Sequence, residues 1–155
     1  MKKGKNNRGF TLGELLIVVG IIAVLVSISI PIFSRQLERS RDAASIANIR
    51  STYSQVEMAY LEMEETGKRQ VRIDGVWYSS RNQYPDGKIW DIHTYTPVVN
   101  IESKKANNWS GMYKNLPFKW EAQCHDKGVP GKYIMNVTYN EDGSTRCVEV
   151  YQPYW

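Results

Sequence analysis

The residues able to do chemistry are few, and they are badly spaced for it. The chain has two histidines, His93 and His125, and two cysteines, Cys124 and Cys147. Neither histidine lies in a His-x-x-x-His or His-Glu pattern. His125 beside Cys124 offers two adjacent donors where a zinc site needs three or four. Two cysteines without a Cys-x-x-Cys spacing exclude a zinc ribbon, a thioredoxin-like redox motif and a disulfide-dense miniprotein. They leave open a single disulfide or two buried thiols. Asp86, Asp91, Asp126, Glu141 and Asp142 lack the spacing of a calcium loop and read as solvated loop residues. No glycine-rich phosphate loop is present. No catalytic residue, metal or cofactor is therefore expected, and the chain does not read as an enzyme. Asn108-Trp-Ser110 and Asn136-Val-Thr138 have the form of glycosylation sequons.

One acid stands apart. Glu14 heads the run Leu15–Ser34, 20 residues without a charge. An ionised carboxylate at membrane depth is costly unless a cation meets it. Glu14 is therefore either solvated at headgroup level or paired with an amine, in this chain or another.

The run itself, as a helix rising about 1.5 Å per residue, spans roughly 30 Å, the hydrocarbon thickness of a bilayer. It is too long for the apolar region of a secretory signal, and no small-x-small cleavage site follows it. Two residues weaken it as a plain anchor. Pro31 removes the helical donor to the Ser27 carbonyl, which the Ser27 and Ser29 hydroxyls are expected to help satisfy. Gly20 is a second soft point. The helix is thus expected to bend or melt locally between Gly20 and Pro31. Ahead of the run, Lys2, Lys3, Lys5 and Arg8 stand without an acid. Removing those four from the 20 Lys and Arg leaves 16 against 16 Asp and Glu. The net charge of +4 thus belongs to the N-terminal tip, which argues against nucleic-acid binding by the folded body. Arg35, Arg39, Arg41 and Arg50 follow the run, so the positive-inside count is a tie; the denser, acid-free tip favours a cytoplasmic N-terminus.

Arg8-Gly9-Phe10-Thr11-Leu12-Gly13-Glu14-Leu15-Leu16, with its basic leader and the late proline of the apolar helix, resembles the processing segment of type IV prepilins and pseudopilins. Gly13 departs from the family, which usually carries a larger apolar residue there. The resemblance covers residues 1–65. It implies cleavage between Gly9 and Phe10 by a prepilin peptidase that also N-methylates Phe10. It also implies that Glu14 meets the Phe10 amine of a neighbouring subunit during assembly.

Beyond the run, Ile46, Ile49, Tyr53, Val56, Tyr60 and Met63 recur at alternating spacings of three and four, which marks one face of an amphipathic helix. Too few heptads support a coiled coil, so this face is expected to pack on a sheet. One helix is predicted from about Thr11 to Thr66 with Gly67 as its C-cap. Residues 68–155 form too thin a core alone, and the helix face completes it. Strand signals flank Asp74-Gly75. The segments Gly131–Tyr139 and Thr145–Gln152 read as a hairpin around residues 140–144. Pro85-Asp86-Gly87 reads as a turn, Phe118–Gln123 as a strand, and 80–116 as largely loop. An antiparallel sheet of about four strands is expected. Aromatic residues crowd 77–155, more than one small core accepts, so some are expected at the surface or between subunits. The resemblance places this domain outside the cytoplasm, where a Cys124–Cys147 disulfide is permitted and similar to the staple of many pilins.

The expected architecture is α+β: a leader at 1–9, a membrane and filament-core helix at 10–34, an amphipathic continuation at 35–66, and a β-rich domain at 67–155. The function implied is that of a structural subunit of a type IV pilus-like filament, used in adhesion, motility or DNA uptake. Its expected partners are other subunits, the peptidase and methyltransferase, the cytoplasmic membrane and the pilus assembly machinery. The precursor is expected in the membrane and the assembled subunit at the cell surface. A pseudopilin of a secretion or DNA-uptake machine is the nearest alternative. A permanently anchored single-pass binding module is the more distant one.

Overall fold

A computed structural model describes residues 9–94, 96–104, 109–118 and 129–152. Helix α1 runs from Leu12 to Thr66, within one residue of the predicted start. Gly67 ends it at φ 67°, with its N–H bonded to the Met63 carbonyl at 2.8 Å, the left-handed cap that glycine adopts without steric cost. The chain divides into two units, Met1–Leu37 and Glu38–Trp155.

In the first unit α1 carries Leu15, Leu16, Ile17, Val19, Ile21 and the apolar residues after them exposed. It is long and apolar enough to cross a membrane. Pro31 lies inside it. The Ser27 hydroxyl donates to the Val24 carbonyl at 2.7 Å and that of Ser29 to Leu25 at 2.6 Å. These hydroxyls therefore bond one turn back, not to the Ser27 carbonyl that Pro31 leaves without a donor. The reason is geometric: a helical serine reaches the carbonyl three or four residues earlier.

In the second unit Ile46, Ile49, Val56, Ala59 and Met63 of α1 are buried together with sheet residues. Tyr53 and Tyr60 are partly buried beside them. The sheet has six strands among the described residues, where about four were expected. β1 (Gln70–Ile73), β2 (Val76–Ser79), β3 (Asp91–Thr94), β4 (Val99–Ile101), β5 (Gly131–Tyr139) and β6 (Thr145–Tyr151) are all paired antiparallel. β5 is the hub, bonded to β3, β4 and β6. The Asp74-Gly75 turn joins β1 to β2 with both residues at positive φ, 47° and 83°, the conformation a two-residue hairpin demands.

The segment 80–116 is not largely loop. It holds β3, β4 and a 3-10 helix, Trp109–Asn115. β3 and β4 have four and three residues, too few to display alternation, and polar Asp91, His93 and Asn100 interrupt their apolar pattern. The turn at Pro85-Asp86-Gly87 is present, closed by the Gly87 N–H on the Tyr84 carbonyl at 2.9 Å. Phe118 lies in a bend, and the rest of the strand expected at Phe118–Gln123 lies outside the described residues.

The faces follow from the register. Tyr78, Ile92, Met135, Val137, Tyr139, Val148 and Val150 share the core with α1. Polar bonds align the two layers. The Tyr78 hydroxyl donates to Gln55 at 2.9 Å, and that of Tyr139 to Glu57 at 3.2 Å. The Tyr139 ring stacks on Tyr60 at 4.1 Å. Burial pushes the Tyr53 and Tyr78 phenols up to about 12, so both stay neutral through the physiological range. The segment after β4 is tied to the start of the domain helix. Ser45 Oγ accepts the Glu102 and Ser103 N–H groups at 2.9 Å each, and the Ser103 hydroxyl donates to buried Asp42 at 2.6 Å. Glu38 accepts the Lys104 N–H at 2.9 Å. The folded domain therefore begins at Glu38, earlier than the Ile46 start of its apolar face.

Candidate functional site

The site is the N-terminus of α1. Gly9 and Phe10 precede the helix and are exposed, Phe10 at 87%. A side chain added at Gly9 would meet nothing within 4 Å, so the fold places no demand on that glycine. Thr11 caps the helix. Its hydroxyl accepts the Glu14 N–H at 3.3 Å, while Glu14 Oε2 accepts both the Thr11 N–H and the Thr11 hydroxyl at 2.8 Å. This is a reciprocal capping box, in which helix start and carboxylate satisfy each other. The signal was in the sequence: a threonine followed three residues later by an acid, just ahead of an apolar run. The carboxylate also sits where the helix dipole favours negative charge. Glu14 is thus partnered by its own chain, through one oxygen. Oε1 takes no bond among the described residues.

Further along the same unit, Ile17, Gly20, Ile21, Val24 and Leu25 line a shallow apolar groove on the helix surface. Gly20 is its floor, with no atom within 4 Å of an added side chain. Gly20 and Pro31 both stay within continuous helix.

The chemistry-bearing residues of the sheet domain are spent on structure. Asp91 is buried on β3, not solvated in a loop. It accepts the Arg81 and Asn82 N–H groups and the Asn82 amide at 3.0 Å, and bonds His93 Nε2 at 2.8 Å. Burial pushes its carboxyl up, but the bonds from His93, Asn82 and Arg81 outweigh that and hold it below the usual carboxylate range. Asp86 and Asp142 bond the N–H groups of Lys88 and Ser144 within their own turns. Among the described residues no three His, Cys, Asp or Glu are grouped to hold a metal. Asn136 is buried on β5 and bonded to Glu149 at 3.2 Å, which removes that sequon as an acceptor. Cys147 lies half-buried on β6 opposite Thr138. Cys124, His125 and Asp126 lie outside the described residues. Of the aromatics, Tyr78, Tyr133 and Tyr139 are fully buried, while Trp77 is 51% exposed with the Arg72 guanidinium 5.7 Å from its ring.

Residues 4–30 match the prokaryotic N-terminal methylation motif. The chain is similar to the type IV major pilin protein PilA of Myxococcus xanthus, 46% identical over 48 residues, 31% of this chain and 22% of that protein. It is similar to the competence protein ComGC of Streptococcus pneumoniae, 36% identical over 76 residues, 48% of this chain and 69% of that protein. No solved structure matches it. The methylation motif covers only the head of α1, whereas the ComGC likeness takes in more than two thirds of a whole relative, and on that extent the chain belongs to the type IV pilin and pseudopilin family.

Proposed function

We propose that this chain is the precursor of a structural subunit of a type IV pilus or pseudopilus filament. The observation that carries the reading is the head of α1: an exposed apolar stretch of helix led by a capped glutamate whose Oε1 takes no bond among the described residues. Residues 1–9 act as a leader on the cytoplasmic side. A prepilin peptidase cuts between Gly9 and Phe10, and the new Phe10 amine is methylated. Glu14 Oε1 then accepts the Phe10 amine of a neighbouring subunit. Leu15–Phe33 leave lipid for the apolar faces of neighbouring helices. Little free energy comes from that transfer itself, because lipid tails are as apolar as leucine, so the Glu14 pairing directs it. Gly20 and Pro31 let the helix adjust as it packs. The domain from Glu38 onward coats the filament, with Cys124 and Cys147 joined in it. The role is architectural and not enzymatic.

A second reading, a pseudopilin of a competence machine for DNA uptake, is favoured by the ComGC likeness, which covers more of this chain than the PilA likeness does. Intact mass and N-terminal analysis of the mature protein test the shared core of both readings. The expected product starts at methylated Phe10; a mature chain that still starts at Met1 refutes both and leaves the permanently anchored module. Long filaments sheared from cells favour the pilus, and short filaments confined to the envelope favour the pseudopilus.

A further inference from the structure

The apolar stretch of α1 ends on an abrupt change of charge. Leu15–Ser34 carries none, and Arg35, Arg39 and Arg41 follow directly. The acids among them are used inside the chain. Glu38 pairs with Arg41 at 3.5 Å and accepts the Lys104 N–H at 2.9 Å, and buried Asp42 accepts the Ser103 hydroxyl at 2.6 Å. Arg35, Arg39 and Lys104 are exposed, and none of their side chains has a hydrogen bond or ion pair among the described residues. Cations are thus left open where the neighbouring acids are already satisfied.

Depth decides what meets them. The uncharged stretch matches the hydrocarbon thickness at about 1.5 Å per residue. Arg35 and Arg39 then lie about 1.5 and 7.5 Å past Ser34 along the helix, and the polar layer of a bilayer is roughly 5–8 Å deep on each side. Both arginines therefore fall at the level of the lipid phosphates. Glu38 stands between them in sequence, and its bond to the Lys104 N–H brings a third cation beside it. Phe33 and Leu37, 75% and 46% exposed, flank Arg35, so apolar surface continues beside the charges. Apolar and cationic side chains together suit the boundary between acyl chain and headgroup. Arginine also suits the ligand, because its planar guanidinium meets two phosphate oxygens at once. An anionic lipid leaves its phosphate charge to the protein, whereas a zwitterionic one brings its own cation.

We propose that Arg35, Arg39 and Lys104 bind the phosphate headgroups of anionic phospholipid in the extracytoplasmic leaflet, and so hold the unassembled subunit at the membrane surface. The proposal rests on the reading of Leu15–Ser34 as a membrane span with a cytoplasmic N-terminus. Each cation near an anionic membrane surface favours binding by roughly fivefold, so the three together favour it by about a hundredfold. Entry into a filament has to overcome that hold, which ties extraction to the lipid composition of the membrane.

The test uses the full chain in phosphatidylcholine vesicles that contain a photoreactive lipid, either phosphatidylglycerol or phosphatidylcholine. Peptide mapping after irradiation reads residues 33–41 apart from the leader, so Lys2, Lys3, Lys5 and Arg8 do not obscure the result. Labelling of 33–41 by the phosphatidylglycerol should exceed that by phosphatidylcholine at least about fivefold and should fall with added salt. The Arg35→Gln/Arg39→Gln/Lys104→Gln variant should bring the two within about twofold, while its leader is still labelled as in wild type. Inorganic phosphate at matched ionic strength should not compete. Equal labelling of wild type by the two lipids, or an excess that survives in the triple variant, overturns the proposal. Displacement by inorganic phosphate overturns it in favour of a soluble anion. A triple variant that loses filament in cells but keeps its lipid labelling also overturns it, because the cations then serve another protein. A wild-type chain that alkaline carbonate strips from the vesicles refutes the membrane span itself, and this site with it; a chain that stays embedded without a lipid preference refutes the site alone.

Discussion

The fragment that begins at Glu38 should be the smallest stable form of the sheet domain, and one that begins at Ala43 should be measurably weaker. The difference lies in two side chains. Removing residues 38–42 takes away the Asp42 carboxylate, which is buried and accepts the Ser103 hydroxyl at 2.6 Å, and the Glu38 carboxylate, which accepts the Lys104 N–H at 2.9 Å. A hydrogen bond to a charged group contributes about 1.5–3 kcal/mol net. The Glu38 bond is partly exposed and is discounted, so a loss of about 2 kcal/mol is expected, nearly all from Asp42. For a domain of this size that lowers the midpoint by roughly 5–15 °C. Thermal and urea unfolding of residues 38–155 and 43–155, followed by circular dichroism, measures it. Asp42→Ala in the longer fragment should reproduce most of the loss. A third fragment, from Lys68, lacks Ile49, Val56 and Met63, each at 1% exposure or less, and should not unfold cooperatively. If 43–155 matches 38–155, the link between α1 and the β4 segment contributes nothing. If 68–155 matches both, the helix does not complete the core.

Four further outcomes are expected. Gly9→Val should leave the precursor uncut in the membrane without disturbing the fold, since an added side chain there meets no atom within 4 Å; the intact mass of the purified protein reads this. Glu14→Ala should permit insertion and cleavage yet sharply reduce sheared filament, with Glu14→Asp intermediate; wild-type yield from Glu14→Ala would reduce Glu14 to a capping role. Peptide mapping without reduction should show Cys124 joined to Cys147, with about 3–4 kcal/mol lost on reduction; two alkylatable thiols in native protein would contradict it. Asp91 has a folded pKa depressed below its unfolded value, so its contribution is fully present above the unfolded value, about 3.9, and is lost as pH falls through the folded one. Asp91→Asn should therefore weaken the domain at neutral pH and flatten its acid unfolding below about pH 4.

The sequence was most legible where one periodicity ran for many residues. The alternating spacings from Ile46 to Met63 named the buried face of α1, and the long hairpin of β5 and β6 was plain from its alternation. β3 and β4 were hidden for a physical reason. Strands this short are specified by the neighbours they pair with, and Asp91 is tolerated in β3 because the Arg81 and Asn82 N–H groups, from outside its own strand, and His93, two residues on along the same face, supply its bonds. Single-sequence patterning cannot show a hydrogen bond that long-range pairing creates. The early start of the domain was missed likewise. Glu38 and Asp42 look like solvated helix charges until the segment after β4 is laid across them. The Thr11–Glu14 cap differs from these, because its signal is local and complete within four residues. It was overshadowed by the cost of a carboxylate beside an apolar run.

That cap changes the physics of Glu14. A carboxylate with no partner would move among rotamers and hydration states, and any neighbour that bound it would have to order it first. Here Oε2 is fixed by the Thr11 N–H and hydroxyl, and the rotamer is set before a second subunit arrives. On the filament reading, an incoming Phe10 amine meets a placed acceptor at Oε1, so the entropy of ordering is already spent within the monomer and more of the pairing energy goes to assembly. The cap lies wholly on the Phe10 side of the proposed cut, so it survives processing. The helix start, the acid and the new amine then sit within five consecutive residues. Thr11→Ala separates the two functions of Glu14, because it removes the hydroxyl bond and keeps the carboxylate. It should slow assembly without abolishing it, whereas Glu14→Ala removes both the cap and the acceptor.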